Sequence, residues 1–225
     1  MKTRPILFSA PMVRALLDCS KTQTRRPVKP APEMVAERRI EPWTGDPSAL
    51  LQLLQASKRP CPYGGPGNRM WVRETFLAYG RWETRFSAKK ARDEWHFVDM
   101  ATECDRAYQF AADNPDLVLA AGRGGALPGW YKRPAIFMPR AASRILLEIV
   151  SVRVERLNDC SEADALAEGV KGEPCDHIRL SCEEIGCCGP TAKGMYAALW
   201  NQINGASAWA ANPWVWVIEF KRVTP

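Results

Sequence analysis

What the sequence lacks sets the first limits. No apolar run approaches the length of a membrane span or the core of a secretory signal; the first, from Ile6, ends at Ala10. No segment repeats at a fixed period and none is of low complexity, which argues against solenoid and fibrous architectures. The cysteines include no C-x-x-C pair, the usual half of a zinc ribbon or knuckle. These absences lead us to expect a cytoplasmic protein with no membrane partner. Its eight cysteines are then reduced thiols or metal ligands rather than disulfides.

What is present is enough for a core. A chain of 225 residues, 46% hydrophobic, suffices for a single domain over 1–225 that carries insertions. The net charge of +6 permits a polyanionic partner without requiring one, since an ordinary basic protein has the same balance.

Read in order, the pattern predicts a strand over 5–9 and a helix opened by Pro11, with Met12, Val13, Leu16 and Leu17 on one face. That helix ends near Cys19 or Ser20. Lys21 to Arg26 follows as a loop or the start of a strand, because Pro27 and Pro30 forbid more helix. Prolines break residues 28–60, leaving one short helix over 49–56. The dense turn at 61–68 feeds a strand over 69–76 that aligns Glu74 with Met70 and Val72, an unusual place for a carboxylate. Residues 77–130 read as a polar insertion with strands at 94–98 and 107–111.

The second half is clearer. Residues 141–157 carry strong strand signal, and their alternation slips by one near Val150–Ser151, which predicts a bulge. Ser161-Glu162-Ala163-Asp164 reads as a capping box, and Gly169 as the left-handed close of the helix it opens. A helix over 191–204 has Met195, Leu199, Trp200 and Ile203 as its expected buried stripe. The last strand, 214–220, is apolar on both faces and so expected to be central. Its closure against the first strand would make a small barrel, giving an α+β fold of a small β-barrel with flanking helices and inserted loops.

The densest chemistry lies at Ser20-Lys21-Thr22-Gln23-Thr24-Arg25-Arg26. A threonine hydroxyl attacks an amide only after a base takes its proton, and a lysine three residues away in a turn is within reach. Burial or cationic neighbours would lower that lysine's pKa, and Glu74 would pass the proton to a leaving amine. The plainer reading is a solvated basic loop, with Thr24 capping a turn and Glu74 in an ion pair. On spacing alone the plainer reading leads.

A resemblance changes that balance. Lys21-Thr22-Gln23-Thr24-Arg25 after the first helix, Gly67-Asn68-Arg69-Met70-Trp71-Val72-Arg73-Glu74, and the closing Pro213-Trp214-Val215-Trp216-Val217-Ile218-Glu219-Phe220 resemble an ASCH-domain protein of the PUA-like superfamily. The Cys61-Pro62-Tyr63-Gly64 and Tyr131 to Arg140 stretches resemble the long form found in phage and prophage genomes. The resemblance implies a PUA-like barrel and a nucleoside- or RNA-directed role. Small members are amidohydrolases acting on N(4)-acetylcytidine. Their catalytic lysine, threonine and glutamate correspond to Lys21, Thr24 and Glu74. Beside these three, Arg25, Arg26, Trp71 and Arg73 are our own expected substrate-binding residues. The glycine that usually precedes the lysine is replaced by Cys19-Ser20. The chain is about twice the size of the small enzymes. The alternatives are a non-catalytic RNA-binding module and a metal-dependent ribonuclease.

One further cluster is dense. Cys175, His177, Cys182, Cys187 and Cys188 fall within fourteen residues. Cys175, His177, Cys182 and one of Cys187 or Cys188 would give zinc its four ligands in a structural site; incidental thiols in a loop are the equal alternative. His96 reads as a strand residue. Most tryptophans read as core, with Trp71 and Trp130 the better pocket liners. Arg140 and Arg144 suit either phosphate or solvent.

Overall fold

The computed structural model describes residues 2–36, 39–123, 127–170 and 191–224. It comprises two compact units. The first holds Met1–Arg4, Ala15–Met70 and Leu146–Pro225; the second holds Pro5–Arg14 and Trp71–Ile145. In chain order the elements are β1 (Thr3–Leu7), α1 (Ala10–Leu17), β2 (Gln23–Pro27), β3 (Glu33–Ala36), β4 (Arg39–Pro42), α2 (Pro47–Ala56), β5 (Arg69–Arg73), β6 (Phe76–Ser87), β7 (Arg92–Asp99), β8 (Gln109–Phe110), β9 (Gly129–Arg133), β10 (Leu146–Arg156), α3 (Glu162–Ala167), α4 (Ala192–Asn204) and β11 (Trp214–Val223). The fold is α+β. No helix among the described residues is long and apolar enough to cross a membrane.

In the first unit β11 is an interior strand of its sheet. It pairs antiparallel with β10 on one side and β2 on the other. Trp214 to Ile218 are all buried, as a strand apolar on both faces requires. The strand order β1-β5-β10-β11-β2 places β11 between β10 and β2, not against the first strand as the sequence pattern led us to expect. β2 takes the edge of β11 that closure against the first strand would have used. The register of β10 against β11 shifts between Ile149 and Ser151, at the bulge predicted from the alternation slip.

Helices cover both faces of this sheet. α2 starts at Pro47, whose missing N–H costs nothing at a first helical position, and Asp46 caps it by accepting from the Ala49 N–H. It buries Leu50 and Leu54. α3 carries the expected capping box, Ser161 and Asp164 exchanging bonds, and Gly169 follows it with φ +83°. α4 is capped by Thr191 and ends at Gly205. Its buried residues are Ala192, Tyr196 and Trp200, packed with Val215, Val217 and Leu157. The expected stripe was out of phase: Trp200 belongs to it, but Ile203 is 54% exposed. An apolar count favours Met195 and Ile203, whereas Tyr196 wins burial because its hydroxyl has a partner inside.

The second unit is built on β6, which pairs with β7, β8 and β9. β7 and β8 fall where strands were expected; β6 was not foreseen, because its outer half mixes charges with aromatics. Gly80 is required there, since a Cβ at this position would lie 2.1 Å from the Val98 carbonyl oxygen. Phe76, Ala78, Met138 and Ala142 form the local core. Trp82, Phe97 and Tyr131 meet edge to face, and the Arg133 guanidinium lies 4.4 Å from the Phe97 ring and 4.7 Å from that of Trp82.

Candidate functional site

The Lys21–Arg26 stretch leaves α1 through Cys19, which takes a left-handed conformation at φ 64°. It then enters β2, and the pleat of that strand sorts its side chains between two faces. Lys21, Gln23 and Arg25 turn one way; Thr24 and Arg26 turn the other. The register against β11 extends each row: Gln23 and Arg25 with Glu219 and Val217, Thr24 and Arg26 with Ile218 and Trp216.

The first face is a buried ion network beneath α3 and α4. Lys21 Nζ donates to Glu168 Oε2 at 2.7 Å, to the Glu168 carbonyl at 2.9 Å and to the Gln23 carbonyl at 2.8 Å. The Lys21 and Glu168 side chains are 0% and 2% exposed. Gly169 makes this fit possible, because a Cβ there would sit 2.7 Å from that of Ala15 and 3.0 Å from that of Lys21. Arg25 donates to Glu155 Oε1 from Nε at 3.0 Å and from Nη2 at 2.6 Å, and reaches Glu168 at 3.4 Å and Asp164 at 3.3 Å. Arg153 completes the set through Asp164, Glu155, Gln23 and Glu219.

Burial and pairing pull against each other in this network. Burial holds the Lys21 ammonium below its ordinary pKa of 10.5, with the Glu168 carboxylate opposing it. Burial also pushes the Cys160 thiol up to about 11 and raises the Tyr196 phenol, whose hydroxyl bonds Glu168. Asp164 moves the other way. Burial works against its charge, but bonds from the Ser161 hydroxyl and N–H, from Gln23, and the Arg25 charge hold its pKa low.

The second face carries the open space. Arg26 and Trp216, with Lys29, Arg59 and Tyr63, line a pocket of about 470 Å³. Leu54 of α2 forms part of its wall, and Arg59 Nη2 donates to the Pro30 carbonyl at 2.9 Å across it. A second pocket of about 640 Å³ is lined by Lys2, Arg4, Gln55, Gly65, Asn68 and Val152, among others. Arg4 Nη1 is engaged with the Cys61 and Pro62 carbonyls at 3.3 and 2.5 Å.

Glu74 belongs to the second unit. Its side chain is 1% exposed and accepts from Arg144 Nε at 2.9 Å and Nη2 at 3.1 Å. Arg144 also grips Asp113 at 2.6 and 2.8 Å and lies 4.0 Å from the Phe110 ring. Burial pushes the Glu74 pKa up, with Arg144 opposing. Trp71 is buried, with the Arg73 guanidinium 4.6 Å from its ring and that of Arg140 at 5.7 Å. Trp130 meets Tyr79 edge to face. His96 sits in β7.

Of the residues singled out in the sequence, Lys21 and Arg25 therefore meet in one ion network, Thr24 and Arg26 share the opposite face of β2, and Glu74 is held by Arg144. Cys175, His177, Cys182, Cys187 and Cys188 lie outside the described residues. Among the described residues no group of three or more His, Cys, Asp or Glu is placed to hold a metal. Glu168, Glu155 and Arg153 were not anticipated, and Asp164 only as part of the capping box. A readable signal existed for two of them: Arg153 and Glu155 alternate with Val152 and Val154 on a strand that must be largely buried. Nothing local marks Glu168. Comparison with protein-family models, characterised proteins and solved structures gave no match.

Proposed function

We propose that this chain is a nucleoside- or RNA-directed protein of the PUA-like, ASCH kind, and that ligand binding on the Arg26 face of β2 is its primary act. The β1-β5-β10-β11-β2 sheet with α2 on one face and α3 and α4 on the other would be the described part of the PUA-like barrel. The observation that carries the reading is the 470 Å³ pocket, where Arg26, the residue after the resembling motif, meets Lys29, Arg59, Tyr63 and Trp216. Its size suits a nucleotide-scale ligand. Three cations suit phosphate, and the aromatic and prolyl walls suit a base. Calorimetric titration with cytidine monophosphate tests it. Saturable binding that weakens by about tenfold or more in Arg26→Ala is expected, since a bond to a charged group contributes about 1.5–3 kcal/mol. Absence of binding, or an unchanged affinity in the variant, refutes it.

A second reading, hydrolysis of an N4-acylated cytosine nucleoside by Lys21, Thr24 and Glu74, has its own support. A buried lysine shifted down and a buried glutamate shifted up are the directions a general base and a general acid need. Two features weigh against it: the 2.7 Å pair of Lys21 with Glu168, and the pleat that turns Thr24 away from the Lys21 row. Release of cytidine from N4-acetylcytidine, lost in Lys21→Met and Thr24→Val, would establish hydrolysis. No turnover leaves the binding role alone.

A further inference from the structure

The two pockets on the α2 side of the first unit adjoin: Pro60 and Trp216 line both. Arg26, Lys29 and Arg59 supply cations to one, and Lys2 and Arg4 to the other. Among the described residues, no aspartate or glutamate lines either. One cavity of this size already holds a mononucleotide. Cations continued into a second cavity of about 640 Å³ match a ligand whose negative charge recurs along its length. Tyr63, Pro62 and Pro66 add flat faces along the walls. Unpaired bases can lie against such faces, whereas a duplex hides its base faces and an acidic peptide has none to offer.

We infer that the two pockets form one trough that takes a single-stranded nucleic-acid segment of at least two nucleotides, with a phosphate served by the cations of each pocket. This deepens the binding role proposed above and rests on it. Gly65 gives a clean way to close the second pocket. Its φ is not in the left-handed region, and a Cβ there would meet nothing within 4 Å, so a larger side chain enters open space without strain. Gly65→Glu places a carboxylate where the second phosphate would lie; Gly65→Gln has the same size without the charge.

The test is a titration of the full chain with cytidine monophosphate, with five-nucleotide single strands of ribo- and deoxyribo-type, with a duplex of the same sequence and with polyglutamate. The single strands are expected to bind at least tenfold tighter than the mononucleotide. Their log–log salt slope should be steeper by about 0.7 for each added phosphate contact. Either sugar supports the trough, and the tighter one names the source. Gly65→Glu should weaken the single strands at least tenfold and leave the mononucleotide unchanged, with Gly65→Gln in between. Equal affinity for mononucleotide and single strand overturns the trough while the binding role stands. Tighter binding of duplex or polyglutamate overturns it, as does a Gly65→Glu variant with unaltered single-strand affinity. Failure of every nucleotide to bind overturns both.

Discussion

Replacing Glu168 with glutamine probes the most deeply buried charges of the first unit. The Glu168 carboxylate is met by Lys21 Nζ at 2.7 Å and by Arg25 Nη1 at 3.4 Å, with the Lys21 side chain 0% exposed. The gross attraction of the shorter pair is about 6 kcal/mol at an effective dielectric constant of about 20. Desolvation of both ions offsets much of this, and deleting one member of such a pair costs about 3–5 kcal/mol because the other charge stays buried. Glutamine keeps the volume and one acceptor, so Glu168→Gln should cost about 3 kcal/mol, or a fall in melting temperature of about 6–12 °C for a chain of this size. The assay is urea and thermal unfolding followed by circular dichroism. Adding Lys21→Met to Glu168→Gln removes the stranded ammonium and should recover stability, though Arg25 and Tyr196 still miss the carboxylate. A loss below about 1 kcal/mol, or a double variant no better than the single one, would refute the buried-pair account.

Three shorter predictions follow from other elements. Burial raises the Glu74 pKa, so the folded chain binds more protons than the unfolded one from the ordinary value of 4.5 up to the raised value. Its contribution is complete below 4.5 and falls as pH rises through that window; the pH–stability profile of Glu74→Gln should lack this fall, and a profile parallel to wild type would contradict it. Gly80→Ala drives a methyl into the Val98 carbonyl oxygen at 2.1 Å, and the β6–β7 hairpin should lose about 3 kcal/mol, seen as faster amide exchange at Val98 and its neighbours; unaltered exchange would count against the register. For Cys175, His177, Cys182 and Cys187 or Cys188, the expected outcome is one zinc per chain by elemental analysis, with chelation lowering the melting temperature; metal-free protein that melts the same refutes it.

Local rules made several elements legible. Pro11 lies in the first turn of α1, the box at Ser161 opens α3, and the phase slip at Val150 marks the bulge; Pro47 was read as a breaker but is the first residue of α2. The both-sided apolarity of residues 214–220 put β11 inside the sheet rather than at its edge. Spacing also drew Glu74 out as a carboxylate on an apolar row, and it is buried with Met70 and Val72. What stayed hidden depends on chain-distant partners. Lys21 and Glu168 are 147 residues apart, and no local pattern links a lysine after one helix to a glutamate after another. The stripe of α4 was misjudged because hydrophobicity ranks Ile203 above Tyr196, whereas a hydrogen bond to Glu168 decides the burial. Lys21 to Arg26 read equally as a loop or the start of a strand, and pairing Lys21 with Thr24 rested on the loop; β2 is the strand, whose pleat sends them to different faces.

The most direct test of the account is to watch the Arg26 face while ligand is added. Cytidine monophosphate is titrated into isotope-labelled protein and amide, arginine Nε and tryptophan indole resonances are followed. Saturable shifts concentrated at Arg26, Lys29, Tyr63 and Trp216, with Tyr196 and Trp200 still, are the predicted result. Shifts centred on the Lys21–Glu168 network beneath α3 and α4, or none at saturating nucleotide, would contradict it.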